Sequence, residues 1–129
     1  MTRYKVYTKE KGLVETIIYN DIRGLTLHNE DGPAFITYDV NGNIGRKVYY
    51  INNKRHREEG PAYYSYYNND NIAYEAYFIN NKRHRLDGPG FIGYNINGNV
   101  EYEEYWINDM FYTKEQYDKE LLKLKVQSL

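Results

Sequence analysis

One heptapeptide recurs three times at a fixed spacing, and it constrains the fold more than any other feature. His28-Asn29-Glu30-Asp31-Gly32-Pro33-Ala34 returns as His56-Arg57-Glu58-Glu59-Gly60-Pro61-Ala62. It returns again as His84-Arg85-Leu86-Asp87-Gly88-Pro89-Gly90, the histidines standing 28 residues apart each time. Residues 38–65 laid on 66–93 agree at 14 of 28 positions. The longest shared run is Ile51-Asn52-Asn53-Lys54-Arg55-His56-Arg57 against Ile79-Asn80-Asn81-Lys82-Arg83-His84-Arg85. Self-similarity at such a period marks a repeat array, in which each unit buries its faces against its neighbours.

Each unit reads as two strands and two turns. After Gly-Pro come Ala34–Tyr38, Ala62–Tyr66 and Gly90–Tyr94, rich in the β-branched and aromatic residues that strands favour. Asn41-Gly42-Asn43, Asn69-Asp70-Asn71 and Asn97-Gly98-Asn99 follow as hairpin turns, whose positive φ these residues tolerate. A second run begins at Ile44, Ile72 or Val100 and ends at Ile51, Ile79 or Ile107. Asn-Asn-Lys-Arg-His then connects to the next Gly-Pro. With side chains alternating across a strand, Tyr38, Tyr66 and Tyr94 share one register, and Tyr49, Tyr77 and Tyr105 another. Stacked hairpins are expected to align both sets into an aromatic face. Thr37, Ser65 and Gly93 fall on the opposite face and leave room for rings there.

The ends depart from the unit, as the caps of an array should. Residues 1–27 read as a degenerate hairpin, from Tyr7 to Tyr19 with Gly12 at its turn. Residues 28–112 carry the repeats. In residues 113–129, Thr113-Lys114-Glu115-Gln116 is a capping box. Leu121, Leu122, Leu124 and Val126 continue it as an amphipathic helix, expected to cover the last strand edge. The whole is expected to be one mainly β domain: an elongated antiparallel sheet of tandem 28-residue β-hairpin repeats with a short C-terminal capping helix.

Composition narrows the function. Among 129 residues, 17 are Tyr, and such rings suit a thin sheet whose faces stay partly wet. With 17 basic and 18 acidic residues the net charge is −1, so the overall basic surplus of a general nucleic-acid binder is missing. There is no Cys, hence no disulfide and no thiolate metal site, which agrees with a reducing, cytoplasmic setting in the producing or host cell. Met1-Thr2-Arg3-Tyr4-Lys5 leads into no apolar run, so no signal peptide is expected, and no stretch suits a membrane span.

The histidines tempt a catalytic reading, because His28, His56 and His84 each precede a carboxylate by three residues, at Asp31, Glu59 and Asp87. Three copies point instead to a structural device. Imidazole or carboxylate is expected to bond backbone groups exposed at Gly-Pro, with Gly32, Gly60 and Gly88 at positive φ and Pro33, Pro61 and Pro89 fixing the following strand. Histidines on successive hairpins would lie about 10 Å apart, too far to share one metal ion. Neither a metal nor a cofactor is expected. No Walker loop, dinucleotide fingerprint or nucleophile elbow is present. The six cations Lys54, Arg55, Arg57, Lys82, Arg83 and Arg85 are expected along one edge, either as a solvated loop edge partly neutralised by Glu58, Glu59 and Asp87 or as a grip for an acidic protein surface or for phosphates. Glu101, Glu103 and Glu104 form an opposing acidic group.

Gly-Pro-Ala, a Tyr, an Asn-Gly turn, then Tyr and Asn-Asn-Lys before the next His-Arg resembles the MORN-repeat variant family. The resemblance covers roughly residues 4–112 and is shared with His-Arg-x-Asp-Gly-Pro-Ala arrays of phage and giant-virus proteins. The 28-residue period is longer than the standard unit, and Pro follows the Gly. The resemblance implies β-hairpins stacked into an elongated sheet. It also implies protein or lipid contacts and, for the variants, an antitoxin-like role. Sequence and resemblance together lead to a non-enzymatic protein-binding repeat module, such as a phage-type inhibitor of a host enzyme, an antitoxin or an adaptor. The alternative is a binder of nucleic acid or phospholipid through the Lys-Arg-His-Arg edge. Neither the partner nor the oligomeric state is written in these residues.

Overall fold

The structure, a computed structural model, describes residues 26–129 and the backbone of residues 2–6 and 15–20. The protein is mainly β. The strands are β1 (Thr2–Val6), β2 (Glu15–Asn20), β3 (Phe35–Tyr38), β4 (Ile44–Val48), β5 (Tyr50–Ile51), β6 (Lys54–Arg55), β7 (Tyr63–Tyr66), β8 (Ile72–Ala76), β9 (Phe78–Ile79), β10 (Lys82–Arg83), β11 (Phe91–Tyr94), β12 (Val100–Ile107) and β13 (Met110–Tyr112). One helix, α1 (Lys114–Gln127), ends the chain. Among the described residues, one nine-stranded antiparallel sheet runs β1-β2-β3-β4-β7-β8-β11-β12-β13, and two short ribbons, β5-β6 and β9-β10, stand beside it.

The turns follow from residue type. Gly42, Asp70 and Gly98 have φ of 83°, 69° and 90°, and each donates its amide to the carbonyl three residues back. Asp39 and Asn95 brace their turns by accepting two backbone amides each on the side-chain oxygen, at 2.9–3.0 Å. Tyr67 occupies the same place in the middle hairpin and sends its hydroxyl to the Tyr94 carbonyl instead, at 2.7 Å. A register shift precedes every one of these turns, at Thr37/Tyr38, Ser65/Tyr66 and Gly93/Tyr94.

The Asn-Asn-Lys-Arg connections are themselves hairpins, which the sequence reading missed. Asn52 and Asn53, Asn80 and Asn81, and Asn108 and Asp109 all take positive φ between 47° and 70°. Two successive left-handed residues make the type I′ turn that matches strand twist. Lys54 pairs with Ile51, and Lys82 with Ile79. The pair Asn-Asn was the available signal.

The interior is thin. Ala34 and Ala62 are wholly buried, and Val48, Ala76, Phe78, Ile107 and Thr37 are nearly so. Small residues let large ones pack beside them, and the pairing register shows how. Phe35, Val48, Tyr63, Ala76, Phe91 and Glu104 lie in one cross-strand row, and Thr37, Arg46, Ser65, Tyr74, Gly93 and Tyr102 in the next. Large and small alternate along the second row and along the first as far as Phe91, so rings from the two rows interdigitate. Tyr63, Tyr74, Phe91 and Tyr102 stack in sequence with centroids 5.6, 5.4 and 5.6 Å apart. At the near end, Arg46 lies 5.7 Å from the Phe35 ring. This ladder is built on the face of Thr37, Ser65 and Gly93, and none of the six tyrosines expected to form one belongs to it. The small residues do make room, as expected: a Cβ on Gly93 would sit 2.5 Å from Tyr102.

Helix α1 begins as expected. Thr113 Oγ1 accepts from the Gln116 amide, and Gln116 returns the bond to the Thr113 amide. The expected apolar cover is corrected, because Leu122 and Val126 are 65% and 62% exposed. Helical spacing puts Tyr117, Leu121 and Leu124 on one stripe instead. Tyr117 is the helix's buried residue, and Leu121 and Leu124 are half-buried. At the other end, β1 pairs β2 from Thr2↔Asn20 to Val6↔Thr16, ahead of the strand expected from Tyr7. The turn expected at Gly12 lies outside the described residues.

Candidate functional site

The recurring His-Arg segments converge with the Gly-Pro loops on one side of the sheet. The histidines act on backbone, but at a different place from the one expected. His28 Nδ1 accepts the amide of Asn52, His56 that of Asn80, and His84 that of Asn108, at 2.9, 3.0 and 3.0 Å. Each imidazole thus holds the Asn turn 24 residues on, rather than the groups at its own Gly-Pro. The carboxylate partner also moves. His28 Nε2 faces Glu30 at 3.5 Å and His56 Nε2 faces Glu58 at 2.8 Å, two residues on rather than three.

The Gly-Pro carbonyls are capped from the residue after each histidine. Pro33 O accepts from Asn29 Nδ2 at 3.0 Å, and Pro61 O and Pro89 O accept from Arg57 and Arg85 at 3.1 and 3.0 Å. Gly60 and Gly88 take φ of 136° and 155°, and a Cβ at either would press on the arginine beneath. Gly32 is not among the positive-φ residues, which corrects the expectation for the first copy. Its loop is closed by the shorter Asn29, and a Cβ there would meet Asn29 only at 3.6 Å.

The guanidiniums are committed to the fold. Arg57 lies 4.0 Å above the ring of Tyr49, and Arg85 4.0 Å above Tyr77. Arg57 also reaches the Tyr64 hydroxyl at 3.3 Å, and Arg85 binds Asp87 at 2.9 Å. Arg55 covers Phe78 at 4.2 Å and bonds Asn81 at 2.7 Å, while Arg83 lies 4.9 Å from Trp106 and 3.8 Å from Glu104. A cation over a ring contributes about 0.5–2 kcal/mol, more as water is excluded. The edge therefore does not present six free cations. Lys54 and Lys82 are exposed, while the four arginines are half-buried. Glu30, Asp31, Glu58, Glu59 and Asp87 project outward from the same loops.

The six tyrosines of the expected aromatic face divide. Tyr49 and Tyr77 lie beneath arginines, and burial raises the Tyr77 phenol above its usual range. Tyr105 packs on Tyr117 at 4.8 Å with the Lys114 ammonium 5.4 Å away. Tyr66 stacks with Tyr64 at 6.2 Å under Lys47, and Tyr94 donates to Glu75 at 2.8 Å. Burial first, and Glu75 second, push the Tyr94 phenol well up. Tyr38 is half-buried.

Between successive loops lie two grooves. One, of about 700 Å³, is lined by Tyr77 and Ile79, by Arg57 and Arg85, and by Glu58, Glu59, Leu86 and Asp87. The other, of about 380 Å³, is lined by Tyr49 and Ile51, by Arg57, and by Glu30, Asp31 and Glu58. Their lining tyrosines and isoleucines are 28 positions apart. Ile51, Ile79 and Leu86 were not singled out as site residues from sequence; their signal was the 28-residue spacing of the lining positions rather than residue type. Among the described residues, no three side chains are grouped to hold a metal ion, and no helix is long and apolar enough to cross a membrane. No protein-family model, curated protein or solved structure matches the chain.

Proposed function

We propose that this chain is a non-enzymatic protein-binding module, an elongated array of tandem 28-residue hairpins of MORN-variant type. Its role is that of a phage-type inhibitor of a host enzyme, an antitoxin or an adaptor working in the cytoplasm. The observation that carries the reading is the pair of grooves, equivalent at a 28-residue spacing, in which arginine-covered tyrosines and isoleucines are lined beside exposed carboxylates. Repeat arrays bind along such extended surfaces. Nine strands at about 4.8 Å spacing give a sheet roughly 38 Å wide, long enough for a partner to engage several units. The non-enzymatic part of the reading is supported by the histidines, each of which already spends Nδ1 on a backbone amide in the same way.

The polyanion alternative is weakened by the same geometry. Phosphate binding needs several free cations. Here four arginines are stacked on rings, and two exposed lysines share their edge with five exposed carboxylates.

A nuclease-treated pull-down from host-type lysate tests the proposal, at two salt concentrations and with two variants. Glu59→Arg/Leu86→Arg alters exposed groove-lining residues, and Lys54→Ala/Lys82→Ala removes the exposed ammonium groups. The expected result is a discrete protein retained by wild type and by the lysine variant at both salts, and lost with the groove variant. Retention of no protein, with a separate nucleic-acid gel shift that falls steeply with salt and is lost with the lysine variant, would replace the proposal with the polyanion reading.

A further inference from the structure

The His-to-Asn bonds carry a consequence that does not depend on what the grooves bind. In all three, Nδ1 accepts a backbone hydrogen, so the ring is neutral and carries its proton on Nε2. An imidazolium has no acceptor. Protonation places a hydrogen on Nδ1 against the amide hydrogen it had bound, and the bond is lost. Each amide belongs to a type I′ turn, at Asn52, Asn80 or Asn108, so each bond ties one connection to the next.

We propose that the three imidazoles are acid-releasable staples between successive connections, and that the staple formed by His84 opens last. The reason is what faces Nε2. Glu30 stands 3.5 Å from His28 and Glu58 2.8 Å from His56, so those rings keep a charge-assisted partner when protonated. At the matching position after His84 the residue is Leu86. On protonation His84 loses the Nδ1 bond and gains no carboxylate there, so nothing offsets the break and the ring resists the proton.

The other charged groups around His84 are already engaged or lie across the groove. Asp87 is bonded to Arg85 at 2.9 Å. From the following turn, Asp109 accepts the Arg83 amide at 3.2 Å. Arg57, Glu58 and Glu59 occupy the facing loop, and Tyr77 lines the same groove. Burial holds the His84 imidazole below its ordinary 6.5. The sign follows: a lowered folded value means the fold prefers the neutral ring. The staple is therefore at full strength above pH 6.5 and is lost as pH falls through the lower folded value.

The release is local. Asn108 leads directly into β13 and α1, so opening the His84 staple loosens the C-terminal cap. The bond from the Asp109 amide to Arg83 O and the anchorage of Tyr117 hold the rest.

Imidazole ¹⁵N spectra and amide protection factors of the full chain, from pH 7.5 to pH 5, test this, with His84→Asn alongside. An asparagine side-chain oxygen can accept the Asn108 amide at any pH. The expected result is the Nε2–H tautomer for all three rings at pH 7.5. Protection at Asn108 then falls at least tenfold on acidification, after that at Asn52 and Asn80, and His84→Asn abolishes the fall. A Nδ1–H tautomer at pH 7.5, loss of protection at Asn108 before Asn52 and Asn80, or Asn108 protection that is independent of pH in the wild type, would overturn the proposal. So would an unchanged pH dependence in a folded His84→Asn. Should that variant not fold, the wild-type tautomer and protection readings decide alone.

Discussion

Gly93 shows how closely single residues are matched in this sheet. It is buried in the row that faces the Tyr102 ring, and an added Cβ would meet three ring atoms at 2.5, 2.8 and 3.0 Å. Thr37 and Ser65 hold the equivalent places in the earlier units, facing Arg46 and Tyr74. The substitution Gly93→Ala is expected to destabilise the protein by about 1–3 kcal/mol, the usual cost of overpacking. In a Tyr102→Ala background most of that cost should vanish, because the clashing ring is gone. Denaturant melts of the two single variants and the double variant check this as a cycle. Additive losses would show that Gly93 acts through backbone freedom instead. Two neighbouring arginines illustrate the same matching with charge: Arg57 and Arg85 each put a guanidinium on a tyrosine and a bond on a proline carbonyl.

Among the elements, α1 is the one held most sparingly. Its buried anchor is Tyr117, whose hydroxyl donates toward Arg85 O at 2.6 Å and Gly88 O at 2.9 Å and accepts from the Gly88 amide at 3.2 Å. In the two preceding units an arginine lies over Tyr49 and Tyr77; over Tyr105 the helix supplies Tyr117 and Lys114 in its stead. The variant Tyr117→Phe should cost about 1–3 kcal/mol, since it strips a bonding partner from buried backbone groups. Leu122→Ala, on the exposed side, should stay within about 0.5 kcal/mol. Thermal melts with the far-ultraviolet helix signal followed separately would check both. The capping box of this helix was legible in Thr113 and Gln116 because its chemistry is local. The anchor was not, since nothing within the helix says that Tyr117 meets a loop some thirty residues upstream. The hairpin turns at Gly42, Asp70 and Gly98 were legible for the same local reason. The aromatic ladder was assigned to the wrong face because period-2 alternation sorts residues into two sets without saying which set will stack. The Lys-Arg-His-Arg run was read as a charged edge because charge is visible in a sequence and the ring beneath it is not.

At the scale of the molecule, the described residues place no broad second layer on the sheet, and side-chain links between segments distant in sequence recur along it. Histidine to turn, arginine to ring, and ring to ring recur along the chain, so the most repeated residues build the fold and the grooves are what they leave open. The most direct test compares thermal melts of Arg57→Ala and Arg85→Ala with those of Lys54→Ala and Lys82→Ala. Each arginine variant loses a cation–π contact and uncaps a proline carbonyl, together about 2–3 kcal/mol, which in a domain of this size lowers Tm by roughly 10 °C. The lysine variants should melt within about 2 °C of wild type, as exposed substitutions do. If the arginine variants melt with wild type, the guanidiniums are not structural and the charged edge regains its claim to be the binding surface.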